Sequence, residues 1–219
     1  TRDELGNEAG TSHFLEHLLF KGSEEVSARE ISETFDAIGA HSNAFTTKEQ
    51  TCFWTRLLDD ELGTGLRLLA EMLQRPAFRE HEIDSERQVV IEEILMSEDD
   101  PDDTVFEAFS ETLFTGHPLE RPILGTRESI TGMSSGDISG YWKRRYTAGS
   151  TVIAIVSSLP HQQVLDEVEK YFGDWGGDGL THDLHPLQLV TGARVVHRET
   201  EQAHVVMGGE LFPRGDERR

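Results

Sequence analysis

Cysteine and long apolar runs are scarce in this 219-residue sequence. Its single cysteine, Cys52, excludes an intrachain disulfide and, lying in a run of strand-forming residues, is most simply a small buried side chain. No apolar run approaches the roughly 20 residues that a membrane-spanning helix requires. The sequence therefore predicts no membrane partner and a chain stabilised by an ordinary packed core, for which its length is sufficient.

Basic residues are also scarce. The chain has 20 Lys and Arg against 41 Asp and Glu, which gives a net charge of -21. Such a surface repels phosphates, so nucleic acid is not expected as a partner. Two interpretations of the acidic surface stay open: it serves only solubility, or it forms an acidic chamber that attracts basic peptides.

The order of the predicted elements indicates an α+β layer structure rather than a parallel doubly wound sheet, and we expect a largely antiparallel sheet with helices packed on one face. Helices are predicted at residues 9–20, 27–38, 62–73, 79–97, 104–114, 138–146 and 164–172. Strands are predicted at residues 40–47 and 51–58, which form a hairpin, and at residues 151–156, 193–198 and 203–207. The Gly- and Pro-containing residues 173–186 are typical of a linker.

The first predicted helix contains a polar stripe. His13, Glu16 and His17 are i, i+3 and i+4 neighbours, so they share one face of an otherwise apolar helix. The small residues at positions 10–12 include hydroxyls that predict an N-cap. Buried polar groups without partners cost about 1–3 kcal/mol each, and one divalent metal would satisfy both imidazoles. His-x-x-Glu-His is also the residue order of the inverted zincins.

Two histidines do not complete a catalytic zinc site, which normally has three protein ligands. The predicted helix 79–97 offers Glu86 and Glu93 on nearly the same face and Glu92 about 100° away. Helical geometry does not decide which of these acids binds a metal. A zinc lyase, in which Cys52 would complete the site, is a further possibility.

Around this motif, several segments resemble the pitrilysin, insulysin and mitochondrial processing peptidase family of zinc metallopeptidases. They are residues 41–51, Gly116-His117-Pro118, residues 121–126, Tyr141, Tyr146 and residues 171–175. The resemblance extends over roughly residues 1–210. The sequence departs from the family pattern at Cys52 and Phe53, and at residues 157–160, where the family has a glycine-containing turn.

The resemblance implies one Zn2+ per chain, bound by His13, His17 and Glu93. Family members place the third ligand on a downstream helix, at the separation of 76 residues that is found between His17 and Glu93. It also implies that Glu86, seven residues before Glu93, orients a ligand imidazole. Glu16 would be the general base that activates a water.

The same resemblance implies an extended peptide substrate that pairs with the first hairpin strand, with Asn43, Ala44 and Phe45 nearest the metal. The expected organisation is a catalytic metallopeptidase half-domain at residues 1–180 that lacks its opening strands, a linker at residues 181–192, and the truncated start of a second homologous domain at residues 193–219. A second half or partner subunit would close the chamber. We expect a zinc endopeptidase that acts on unfolded or extended peptides. The alternative is a non-catalytic zinc-binding scaffold or partner subunit of a two-part peptidase.

Overall fold

The computed structural model describes residues 1–180, 187–199, 201–212 and 215–218. These residues form eight α-helices and one antiparallel pair of strands, with short 3-10 turns between some of them. The elements are α1 Thr11–Leu19, α2 Ala28–Ala37, β1 His41–Thr46, β2 Thr51–Arg56, α3 Leu62–Gln74, α4 Glu80–Asp99, α5 Pro101–Leu113, α6 Arg127–Gly132, α7 Ser135–Arg145 and α8 His161–Phe172. The predicted α+β class is confirmed.

Helix α1 lies in the larger hydrophobic core. Phe14 and Leu15 are completely buried because apolar residues cover most of the helix circumference. The core also takes residues from α4, α6 and α7, and its buried members are Phe14, Leu15, Leu18, Ile83, Val90, Ile94, Ile130, Met133, Ile138 and Tyr141. Because these sides of α1 are packed, the polar stripe of the helix faces away from the larger core.

A second, smaller core joins α2 and α3 to the hairpin. Ile31, Phe35, Leu68 and Met72 are its buried residues, and Phe53 of β2 packs against them. Helix α2 begins with the predicted capping box, in which the Ser27 hydroxyl accepts from the Glu30 N–H and the Glu30 carboxylate accepts from the Ser27 N–H. This core holds the β1–β2 hairpin beside α1.

The hairpin pairs β1 with β2 in antiparallel register, and Asn43 lies opposite Trp54 and Thr46 opposite Thr51. Among the described residues the other edge of β1 pairs with no strand. The Ala44 N–H donates to the side-chain oxygen of Asn43 at 2.8 Å. Because backbone groups of alternate residues in an edge strand point away from the partner, this N–H belongs to the open edge.

Helix α5 begins three residues earlier than predicted. Pro101 ends the pattern of α4, as expected, but it also occupies the first turn of α5, where its missing N–H costs nothing. The Asp100 carboxylate caps this turn by accepting from the Asp102 N–H at 2.7 Å. The short helix α6 was not predicted.

Three predicted strands are wrong for the described residues. Residues 151–156, 193–198 and 203–207 have no regular secondary structure. The side chain of Val152 is 91% exposed, although the β-branched run around it predicted a buried strand. Strand propensity reflects how well a side chain fits a half-buried sheet, and no described segment provides a neighbouring strand for this run.

Residues 181–186 of the predicted linker lie outside the described residues, and residues 187–192 have no regular secondary structure. No helix in the described part of the chain combines the length and the apolar character needed to cross a bilayer.

Candidate metal centre

The N-terminus of α1 is held by a carboxylate that the sequence analysis did not identify. Glu4 is 2% exposed, and its two oxygens accept from the Gly10 N–H at 3.0 Å and from the Ser12 N–H at 2.8 Å. The N-cap residue is Gly10, in the left-handed region at φ 87°, and it has no side-chain cap. The expected hydroxyl cap is therefore replaced by an acid six residues upstream, outside the usual capping patterns.

The predicted ligands His13, His17 and Glu93 lie together in the structure. Their ligand atoms are all within 4.8 Å of one another, and they form the one such cluster of His, Cys, Asp and Glu in the described residues. The Nε2 atoms of His13 and His17 are 3.2 Å apart. Glu93 Oε2 lies 3.5 Å from His13 Nε2 and 3.4 Å from His17 Nε2.

His17 is oriented by a chain of charged partners. Its Nδ1 lies 2.9 Å from Glu86 Oε1, and the other oxygen of Glu86 accepts from Lys21. Burial by itself would raise the pKa of Glu86, but hydrogen bonds from Lys21 and His17 outweigh it and hold that pKa below its ordinary value. An ionised Glu86 accepts the Nδ1 proton of His17, which leaves the Nε2 lone pair directed at His13 and Glu93.

His13 has a different environment. Burial, together with the neighbouring His17, lowers the pKa of His13 to about 4. Its imidazole is therefore neutral at physiological pH, as a metal ligand must be. Its Nδ1 is buried and has no hydrogen-bond partner among the described residues. Of the two histidines, only His17 is oriented by a carboxylate.

The cluster fits a zinc ion both chemically and geometrically. Two imidazole nitrogens and one carboxylate oxygen form one of the usual donor sets of catalytic zinc sites. Three donors about 2.0–2.1 Å from a tetrahedral zinc would be separated by about 3.3–3.4 Å. The observed separations of 3.2, 3.4 and 3.5 Å agree with that value.

The other candidate ligands do not join the cluster. Glu92 is exposed, on a different side of α4 from Glu93. Cys52 is half-buried in β2, opposite Phe45, and is not a member of the cluster. The candidate donor set is therefore two histidines and one acid, without a cysteine.

Glu16 is half-buried, one position before His17 on the polar stripe. Its Oε2 accepts a hydrogen bond from the Thr46 hydroxyl at the end of β1. This bond connects the predicted general base to the hairpin, and no sequence pattern indicated it because 30 residues separate the two partners.

The three predicted substrate-binding residues lie in β1. Asn43 and Phe45 are exposed on one face of the strand, and Phe45 is 43% exposed, whereas the side chain of Ala44 is half-buried on the other face. Alternation along the strand accounts for this difference. The part of β1 that is open to a ligand is thus its unpaired backbone edge at Ala44, flanked by the exposed side chains of Asn43 and Phe45.

Two family profiles and several curated proteins match this sequence. The profile of the family described as Insulinase (Peptidase family M16) matches residues 1–127, and that of the Peptidase M16 inactive domain matches residues 132–219. Among curated relatives, an uncharacterized zinc protease of Bacillus subtilis is 39% identical over 100% of this chain and 53% of its own length. One of Streptomyces coelicolor is 36% identical over 100% of this chain and 50% of its own length. The chain thus spans about half the length of these relatives.

Solved structures share the fold. A protease from Helicobacter pylori is 26% identical, with a TM-score of 0.77 over 84% of this chain and 45% of its own. Pitrilysin, at 21% identity, has a TM-score of 0.77 over 87% of this chain and 21% of its own. The predicted division at residues 180 and 193 stays a prediction. From the profile match over its first 127 residues, the chain belongs to the insulinase family of peptidases, family M16.

Proposed function

We propose that this chain is the zinc-binding part of an endopeptidase that hydrolyses extended peptides. The observation that supports this most strongly is the convergence of His13, His17 and Glu93, with the Glu16 carboxylate on the same helical stripe. The relatives named as zinc proteases support zinc as the metal. His13, His17 and Glu93 would hold the ion, and Glu86 would keep His17 in the ligating tautomer.

A bound zinc ion would lower the pKa of a coordinated water to about 7 and polarise the peptide carbonyl. The chain's own residues supply the proton transfers. Glu16 would take a proton from the attacking water and deliver it to the nitrogen of the leaving amine. Its hydrogen bond to Thr46 through Oε2 leaves Oε1 as the oxygen that can face this water.

The substrate would add a strand to the open edge of β1. The Ala44 N–H is the donor nearest the middle of that edge, and it now donates to the Asn43 side chain. A substrate carbonyl that accepts from the Ala44 N–H would have to displace the Asn43 side chain. Asn43 would thus satisfy this N–H in the absence of substrate. Backbone pairing of this kind selects unfolded or extended peptides, because the backbone of a folded protein is already paired.

The chain spans about half the length of its curated relatives, and the first half of a periplasmic protease from Escherichia coli shares its fold with a TM-score of 0.77. We therefore propose that a second half or a partner subunit closes the site around the substrate. These 219 residues alone would then bind zinc and cleave slowly.

Substitutions at three acids, one of them a control, test the proposal in the full-length protein. Glu16→Gln should abolish peptide cleavage and leave one zinc ion bound per chain, because Gln cannot accept the proton. Glu93→Gln should weaken zinc binding, whereas the matched change Glu92→Gln at an exposed acid should leave both properties unchanged. The measurements are metal content and digestion of a peptide library. Cleavage by Glu16→Gln at the wild-type rate would contradict the proposal.

The same digest distinguishes the two interpretations of the acidic surface. Cleavage sites beside basic residues would support an acidic chamber that attracts basic peptides. Indifference to charge would favour a surface that serves only solubility.

A further inference from the structure

Three hydroxyl groups connect Glu16 to helix α7. The Thr46 hydroxyl is bonded to Glu16, the Thr46 and Thr51 hydroxyls are 3.2 Å apart across the hairpin, and the Tyr146 side chain interacts with Thr51. We call Tyr146, Thr51 and Thr46 the hydroxyl chain. Thr46 and Thr51 face each other in the β1–β2 register, so both side chains lie on the same face of the sheet.

The Glu16 carboxylate at the end of the hydroxyl chain determines the direction of its hydrogen bonds. An ionised carboxylate only accepts hydrogen bonds, so Thr46 must donate its single hydroxyl proton to Glu16. Its oxygen can then only accept from Thr51, and the oxygen of Thr51 is left able to accept from a donor such as the Tyr146 hydroxyl. Burial, followed by the nearby Tyr141 and Glu16, raises the pKa of Tyr146 above its ordinary value, so its hydroxyl stays protonated and available as a donor.

The hydroxyl chain is anchored in the core at its far end. Tyr146 packs against the larger hydrophobic core, and its N–H donates to the Trp142 carbonyl at the end of α7. The three hydroxyls therefore join α7, the hairpin and α1. Side-chain groups bonded in one direction along such a path polarise each other and strengthen the bond to the terminal acceptor.

We propose, on the basis of the proposed function, that the hydroxyl chain is a positioning device that holds the Glu16 carboxylate in its reactive orientation. It fixes Oε2 and thereby presents Oε1. Since Thr46 is also the last residue of β1, the same strand would align the peptide and position the base that acts on it. Tyr146, Thr51 and Thr46 are thus positioning residues that act through Glu16.

Conservative substitutions in the full-length protein test this role through kinetics. Thr46→Val keeps the shape of the side chain and removes the donor, so kcat should fall about tenfold while KM and zinc content stay unchanged. Thr46→Ser restores a hydroxyl and should recover most of the activity. Thr51→Val and Tyr146→Phe, which are further from Glu16, should have progressively smaller effects.

Thr55 provides a matched control in the same hairpin. Its hydroxyl is buried and has no partner among the described residues, so Thr55→Val removes a hydroxyl of the same type without affecting Glu16. This variant should keep the wild-type kcat. If Thr46→Val also kept the wild-type kcat, or if Thr46→Ser were as slow as Thr46→Val, the positioning role would be overturned.

A double-mutant cycle tests the same contact without any activity measurement. The urea midpoints of Thr46→Val, Glu16→Ala and the double variant are compared with that of the wild type. Thr46→Val should lower the midpoint in the wild-type background and lower it much less when Glu16 is already Ala. Additive shifts would contradict the hydroxyl chain. A protein that shows this coupling but neither binds zinc nor cleaves peptides would contradict the proposed function alone.

Discussion

Helix α1 and residues 151–156 are both rich in apolar residues, but they occupy opposite environments. Phe14 of α1 is completely buried, whereas Val152 is 91% exposed. The difference lies in what surrounds each segment. Helix α1 forms its hydrogen bonds internally and only needs other helices to pack on it, and α4 and α7 provide that surface. A strand needs a neighbouring strand for its backbone, and the described residues provide none at 151–156.

Truncating the centre of α1 should give the largest effect. Phe14→Ala leaves a cavity in the core and should reduce the free energy of unfolding by about 3–5 kcal/mol, as measured by urea denaturation. Phe106→Ala in α5 is the matched control. Because Phe106 is 60% exposed, this substitution should reduce the free energy of unfolding far less. Equal losses at the two sites would show that α1 is not packed as described.

The next effect concerns the start of α1. Gly10 has φ 87°, and a Cβ at this position would lie 2.5 Å from the Leu124 carbonyl oxygen. Gly10→Ala should therefore reduce stability by about 1–3 kcal/mol in thermal unfolding. Gly6→Ala should cost little, since a Cβ there meets nothing within 4 Å. A Gly10→Ala protein as stable as the wild type would refute the close approach between α1 and residues 124–125.

A smaller effect is expected where α1 meets α4. Lys21→Met removes the partner of Glu86, which in turn orients His17. Zinc affinity, measured by competition with a chelator, should fall by up to about tenfold, because losing a direct partner of a metal ligand costs about 10–100-fold and Lys21 acts through such a partner, Glu86. Lys143→Met at an exposed position of α7 serves as the control. Unchanged affinity in Lys21→Met would mean that Glu86 orients His17 without help from Lys21.

The smallest effect is expected in residues 151–156. Val152→Thr should change the free energy of unfolding by less than about 0.5 kcal/mol, because the side chain stays in water. The same change at Val90, which is completely buried in α4, should cost about 1–3 kcal/mol by burying a hydroxyl in an apolar core. Comparable losses at the two positions would indicate that residues 151–156 are paired in solution.

The described helices other than α6, and the first hairpin, were predictable because their periodicity and caps are local. Ser27 and Glu30 of the capping box are close to each other in sequence. Successive apolar residues within α3 and within α4 are also only a few positions apart. The cap of α1 was not predictable, since Glu4 reaches the Gly10 N–H from six residues away and the Ser12 N–H from eight. Residues 151–156 were predicted wrongly because strand formation depends on a neighbour that the local pattern does not contain.

By itself, the sequence determined which side chains could form a metal centre. The spacing of His13, Glu16 and His17 places them on one helical face, and the resemblance to a peptidase family singled out Glu93. Only the tertiary structure decided that Glu93 Oε2 lies within 3.5 Å of both imidazoles, that Lys21 binds Glu86, and that Thr46 holds Glu16. Helical periodicity acts over a few residues, whereas these contacts join residues brought together by packing α1 against α4 and the hairpin.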